Sequence, residues 1–121
     1  MRLSKETGIR IIGPNCMGIY CPESGLSFDE EFPEESGPVA FLSQSGGNVN
    51  NIVRQAKWRG VRFSKVISYG NACDLNECDF LEYLAHDRDA RVLFFGRSSK
   101  CHGIVFCMKG EKAFSDTSMG R

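Results

Sequence analysis

The sequence predicts an α/β fold, a three-layer sandwich with helices on both faces of a parallel sheet. Two observations carry that expectation. Short apolar runs at residues 39–42 and 92–95, the first suited to a strand buried on both faces, and a strand-like run at 63–68 mark the strands. Between them, residues 47–59 and 79–86 repeat apolar side chains at three- and four-residue steps, the pattern of amphipathic helices. Strands alternating with helices in this way predict parallel strands joined by right-handed crossovers.

Taken in order, residues 2–7 followed by Gly8 read as the last turn of a helix with a glycine stop. The chain is therefore expected to open in the middle of an architectural unit. Residues 9–12, Ile-Arg-Ile-Ile, read as a first short strand. Residues 18–38 hold Pro22, Gly25, Pro33, Gly37 and Pro38 among clustered Asp and Glu, and read as a surface connection with a solvated acidic face. In the helix at 47–59, Val49, Ile52, Val53 and Ala56 form the apolar stripe, Ser45 is the N-cap and Gly60 lies beyond the end. In the helix at 79–86 the stripe is Phe80, Leu81 and Leu84. The expected order is β, β, α, β, α, β.

After Phe95 the pattern fails. Residues 104–108 read as one more strand, residues 96–102 are polar without periodicity, and residues 115–121 read as a frayed terminus. Charge changes there too. Residues 1–95 carry 10 basic and 13 acidic side chains, whereas residues 96–121 carry 5 and 2. The expected division is a domain at 1–95 and a divergent or truncated tail at 96–121.

With 121 residues the chain fits one small domain. Its 15 basic and 15 acidic groups balance, so no strong field favours nucleic acid or an anionic membrane; small molecules or proteins are the expected partners. No apolar run approaches the roughly 20 residues that span a bilayer, and no leader precedes the first strand, which reads as a cytoplasmic protein. The six cysteines lack the spacing of zinc knuckles and read as free thiols, with no metal site. His86, at a helix end, suits a C-terminal capping role, and His102 has no supporting ligand spacing.

Chemistry is expected at three small polar turns: Gly13-Pro14-Asn15-Cys16, Ser43-Gln44-Ser45-Gly46-Gly47 and Gly70-Asn71-Ala72-Cys73-Asp74. Each follows a strand-like run, so together they would line one edge of the sheet, where open α/β sheets bind ligands. Gly46 and Gly47 let the backbone approach a ligand, and the helix beginning there offers unpaired N–H groups and a partial positive charge, which favours phosphate or carboxylate. Ser43 and Ser45 either donate to phosphate oxygens or serve only as turn and cap residues. Asn15 either satisfies backbone groups or orients a ligand carbonyl, and Cys16 reads as an inert thiol because no basic residue adjoins it. Gly70-Asn71 supplies a left-handed turn, with Asp74 capping the segment that follows.

Residues 8–19, with Gly13-Pro14-Asn15-Cys16 at their centre, resemble the NDP-forming acyl-CoA synthetases, as do Ser43-Gln44-Ser45-Gly46-Gly47, residues 68–74 and residues 79–84. The likeness is to the flavodoxin-like second domain of the α-type subunit, as in succinyl-CoA synthetase and ADP-forming acetyl-CoA synthetase, and it covers residues 1–95. Four motifs in order with matching gaps make it specific. The resemblance implies coenzyme A, phosphate and acyl phosphate as substrates, Asn15 and Cys16 near the reactive end of coenzyme A, and Ser45, Gly46 and Gly47 holding phosphate at a helix start that faces the phosphohistidine, with Ser43 added from the turn chemistry above. Gly13, Pro14, Gly70, Asn71 and Asp74 are then structural turn residues. The family's CoA-binding domain upstream, and the steadying glutamate and phosphohistidine loop downstream, have no counterparts in the sequence. The implied reading is an incomplete domain without a catalytic residue of its own, inactive alone. Nucleotide and Mg would be reached only through a partner, a β-type ATP-grasp subunit. Competing expectations are a non-catalytic interaction module that self-associates and a flavodoxin-like flavin binder. A frameshift or early stop after Phe95 is a further expectation, tested by reading the coding DNA in the other two frames.

Overall fold

The computed structural model describes residues 2–98, 101–108 and 115–117, with side chains described for residues 2–96. It contains a six-stranded sheet of order β1-β3-β2-β4-β5-β6. Its centre is a parallel trio: β2 (Val39–Ser43) lies between β3 (Phe63–Ser68) and β4 (Val92–Ser98). The helix α2 (Gly46–Trp58) follows β2, and α3 (Glu77–His86) follows β3. With β2, β3 and β4 as first, second and third strands, the order is 2-1-3, that of flavodoxin-like sheets.

Two cores separate the helices onto opposite faces. Val49, Val53 and Ala56 of α2 pack with Phe41, Phe63 and Val66, while Phe80 and Leu84 of α3 pack with Ala40, Leu42, Ile67 and Tyr69. Alternation along β2 explains the split, because successive side chains of a strand point to opposite faces. On β3 the alternation is offset: Phe63 and Val66 share a face at an odd spacing. The register shifts there, Val39 facing Phe63 and Ala40 facing Lys65, and the extra residue restores the pattern. The expected three layers are present.

The sheet is mixed at its edges. β1 (Gly18–Tyr20) runs antiparallel to β3, and β5 (Cys101–Met108) antiparallel to β4, with β6 (Ser115–Thr117) beside it. Three expectations are corrected here. Residues 9–12 form no strand; the first strand comes later, at Gly18. Residues 115–117 form a strand rather than a frayed end, and residues 118–121 lie outside the described residues. The polar stretch after Phe95 continues β4 to Ser98.

Smaller elements follow local rules. α1 (Arg2–Thr7) ends at Gly8, whose φ of 73° suits glycine and whose N–H donates to the Ser4 carbonyl at 3.0 Å. α3 starts two residues earlier than the periodicity predicts, because Asn76 and Asp79 form a capping box. The connection at 21–38 is not only surface. Phe32 is buried edge-on against Tyr20, with ring centroids 5.0 Å apart, and the Tyr20 hydroxyl donates to the Pro33 carbonyl. Burial pushes the Tyr20 phenol up to about 12. Its acidic residues are partly paired: Asp29 and Glu31 meet Arg54 of α2, and Glu35 meets Arg62.

Candidate functional site

The three polar turns meet at one edge of the sheet. Ser43 and Ser68, the last residues of β2 and β3, are register partners, and Ser43 also pairs with Gly96 of β4. The turns after β2 and β3 therefore leave at one level. The Gly13 turn reaches the same edge by a different route: it precedes a strand, and antiparallel pairing of Gly18 with Ser68 puts the start of β1 where β3 ends. β2 is also the point from which the chain crosses to β3 by way of α2 on one face, while β4 is reached from α3 on the other. This is the switch point at which open sheets leave a crevice.

A cleft of about 500 Å³ opens there, lined by Asn15, Cys16, Met17, Gln44, Ser45, Gly46, Gly47, Gly70 and Asn71. One wall is the start of α2. The Ser45 side-chain oxygen accepts the Asn48 N–H at 3.3 Å, as an N-cap should, and the amides of Gly46 and Gly47 have no hydrogen-bond partner among the described residues. Ser43 does not reach the cleft. It is buried, and its Oγ accepts the Ser45 N–H at 3.1 Å and donates to the Ser45 carbonyl at 3.3 Å, bracing the turn from below. The two glycines differ. A Cβ on Gly46 would stand 2.7 Å from the Met17 side chain, whereas one on Gly47 would meet nothing nearer than Ser45 Oγ at 4.0 Å.

The other wall is the turn at residues 13–17. Asn15 is exposed with φ of 57°, and Cys16 is a half-buried free thiol. This turn is held from across the chain: Asn71 N–H donates to the Pro14 carbonyl and Cys73 N–H to the Gly13 carbonyl, each at 2.9 Å. Met17 N–H donates to Ser68 Oγ at 3.2 Å. Gly70, at φ of 58°, lies so close to the Pro14 and Asn15 carbonyls that no side chain fits. Its own N–H donates to the Gln44 carbonyl at 3.1 Å, tying the two walls together.

Asp74 stands outside the cleft and does not cap α3, which Asn76 does. Its carboxylate accepts the Ile11 N–H at 2.8 Å and meets Arg10 Nε at 3.3 Å; the Ile11 hydrogen bond first, and those from Ser4 and Arg10 with it, hold its pKa below the usual carboxylate value. Met17 and Gln44 line the cleft, and Ser68 braces it through the Met17 N–H; all three lie within the sequence motifs, but their roles appear only once the turns are brought together. His86 fits its expected place at the end of α3, its Nδ1 2.9 Å from the Glu82 carbonyl, and the side chain of His102 lies outside the described residues.

A second cavity, about 580 Å³, lies against α3 and is lined largely by apolar groups such as Ile19, Ile67, Leu75 and Phe80. Its cations Arg10 and Lys65 are engaged by Asp74 and by Asp87. Burial alone would lower the Lys65 ammonium, and the Asp87 hydrogen bond and charge outweigh it, so its pKa stands above the ordinary value. The polar cleft differs from this cavity in being lined by Asn15, Gln44, Ser45 and Asn71 beside the backbone of Gly46 and Gly47. Among the described residues no helix is long and apolar enough to cross a membrane.

Comparison with known proteins agrees with this fold. The succinyl-CoA ligase like flavodoxin domain matches residues 36–97. An ADP-forming acetate–CoA ligase I of Archaeoglobus fulgidus is 41% identical over 95 residues, 77% of this chain and 14% of that protein. The α subunit of ADP-forming acetate–CoA ligase II of Pyrococcus furiosus is 38% identical over 93 residues, 77% of this chain and 20% of that one. Among solved structures, a Pyrococcus horikoshii OT3 protein superposes with a TM-score of 0.71 at 35% identity, over 78% of this chain and 22% of that chain. Acetyl-coenzyme A synthetase 1 of Ca. Korarchaeum cryptofilum, in complex with phosphate and ADP, gives 0.69 at 29% identity, over 78% and 20%. The chain thus spans about a seventh to a fifth of the length of these curated relatives. The matched domain model and these relatives show that the chain belongs to the succinyl-CoA ligase-like flavodoxin domain family of the NDP-forming acyl-CoA synthetases.

Proposed function

We propose that the cleft holds a phosphate group at the start of α2 and the reactive end of coenzyme A beside Asn15 and Cys16, as part of an α-type subunit of an NDP-forming acyl-CoA synthetase. The observation that carries this reading is the convergence of Asn15, Cys16, Ser45, Gly46, Gly47 and Asn71 on one cleft, one wall of which is a helix N-terminus.

The Gly46 and Gly47 amides donate to phosphate oxygens, and the helix dipole adds about 0.3–1 kcal/mol, rising to ~2 when the site is partly buried. Ser45 serves in both of its open roles, because one hydroxyl can accept from Asn48 and donate to phosphate at once. Ser43 positions the turn without touching the ligand. The Asn15 amide is placed to bond an acyl or thioester carbonyl, and Cys16 lines the cleft as a thiol rather than as a nucleophile. In this reading the cleft positions phosphate, and the covalent relay uses a histidine outside it. Covalent relay, nucleotide and Mg then belong to other modules, with a β-type ATP-grasp subunit as the partner. The relatives include α subunits of ADP-forming ligases, which supports such a partner.

Calorimetry with inorganic phosphate and with coenzyme A tests the reading. Gly47→Asp is the control variant, because its carboxylate has room and repels an anion, whereas a side chain at Gly46 would also displace Met17. Binding by the parent chain that is lost in Gly47→Asp supports the site. Equal binding by both, or none by either, overturns it.

A further inference from the structure

The turn carrying Asn15 and Cys16 has no strand of its own to fix it. Residues 8–17 lie outside every strand and helix, yet the carbonyls of Ile11, Gly13 and Pro14 accept amides of Leu75, Cys73 and Asn71 at 3.2, 2.9 and 2.9 Å. All three bonds run in one direction, from the 71–75 loop to the turn. A strand partner would also offer acceptors in return. Here the Ile11 N–H is met instead by a side chain, the Asp74 carboxylate, at 2.8 Å. The same carboxylate takes Arg10 Nε at 3.3 Å. One group thus joins the segment leading to the turn and the 71–75 loop that holds the turn.

We propose that Asp74 is a positioning residue: by holding the Ile11 amide it fixes the 13–17 turn at the height where Asn15 and Cys16 face the start of α2. Asp74 itself lies outside the cleft and acts through Ile11 and the 71–75 loop. The inference rests on the proposed phosphate and coenzyme A site for its consequence in binding, but its structural content stands apart from that site. The loop carries the effect because Asn71 bonds the Pro14 carbonyl and lines the cleft, three residues before Asp74.

The test compares Asp74→Ala, Asp74→Asn and Arg10→Ala in the full chain with two readouts. One is phosphate and coenzyme A binding by calorimetry; the other is the rate of Cys16 alkylation by iodoacetamide, mapped by peptide mass spectrometry. Asp74→Ala removes the acceptor, and is expected to speed Cys16 alkylation and weaken coenzyme A binding by about tenfold each, the scale of one lost charge-assisted hydrogen bond. Asp74→Asn keeps a carbonyl oxygen for Ile11 and is expected to recover both readouts to within about threefold of the parent. Arg10→Ala leaves the Ile11 bond and changes each by no more than about twofold. Parent-like alkylation and binding in Asp74→Ala overturn the proposal while leaving the ligand site intact. Faster alkylation in Asp74→Ala, reversed in Asp74→Asn, supports it even if no chain binds ligand, and in that case the site reading alone falls. Should Asp74→Ala not fold, Asp74→Asn against Asp74→Leu decides: equal alkylation rates in these two overturn the proposal.

Discussion

The two walls of the cleft are built in opposite ways. The wall at the start of α2 is local: Ser43, Ser45 and Asn48 bond one another across two or three residues. The wall at residues 13–17 is held by partners more than 50 residues away, through Ser68, Asn71, Cys73 and Asp74. A local wall survives the loss of one bond, because its neighbours are already close in the chain. A wall assembled from distant segments fails together when its keystone is changed.

The largest expected effect separates them most sharply. Gly70→Ala forces a Cβ into the Pro14 and Asn15 carbonyls at a left-handed backbone position, and is expected to destabilise the chain by about 3 kcal/mol, read as a lowered midpoint of denaturant unfolding. An unchanged midpoint would mean that the distant wall is not packed as described. Next comes Ser68→Ala, which leaves the Met17 amide without its acceptor in a buried place; a loss of about 1–2 kcal/mol is expected in the same measurement.

The same division decides what the sequence reveals. Strands at 39–43 and 63–68, the helix at 46–58 and the cap at Ser45 follow from short-range periodicity and turn chemistry, and all were legible. The wall at 13–17 was legible only as a motif. Residues 9–12 carry three isoleucines and resemble a strand, yet the partner beside them is a loop with a carboxylate in place of a returning carbonyl. Their apolar side chains consequently gave a false signal; Ile9 is 64% exposed. The role of Asp74 in bonding Ile11, and of Gly70 in admitting the turn, exists only once residues 60 positions apart are brought together. Phe32 was hidden for a related reason, since the acidic and proline-rich residues around it mark a surface loop.

On the local wall, Ser45→Ala removes the N-cap and is expected to cost about 1 kcal/mol, with the midpoint of thermal unfolding falling by a few degrees and Cys16 alkylation unchanged. An altered alkylation rate would show the walls to be coupled more tightly than their bonds imply.

Acid gives a gentler comparison. Asp74 serves the distant wall, and Asp29, held below its ordinary value first by the Arg54 hydrogen bond, ties the 21–38 connection to α2. Both carboxylates have folded-state pKa values below the unfolded ones, so their stabilisation is complete above about pH 4–5 and is lost as pH falls through the lowered folded values. Unfolding midpoints measured from pH 6 down to pH 2 should therefore fall less steeply in Asp74→Asn and in Asp29→Asn than in the parent. Equal slopes would contradict the assigned bonds. Smallest of all, Gly47→Ala has open space for its methyl and is expected to shift stability by no more than about 0.5 kcal/mol, without loss of phosphate binding.

The most direct measurement is an NMR titration of the isotope-labelled chain with inorganic phosphate, following the backbone amides. If the two walls form one anion site, the amides of Gly46 and Gly47 on one side and of Asn15 and Asn71 on the other shift together and saturate at one phosphate concentration. Shifts confined to one wall, or scattered over surface lysines and arginines without saturation, would contradict the account.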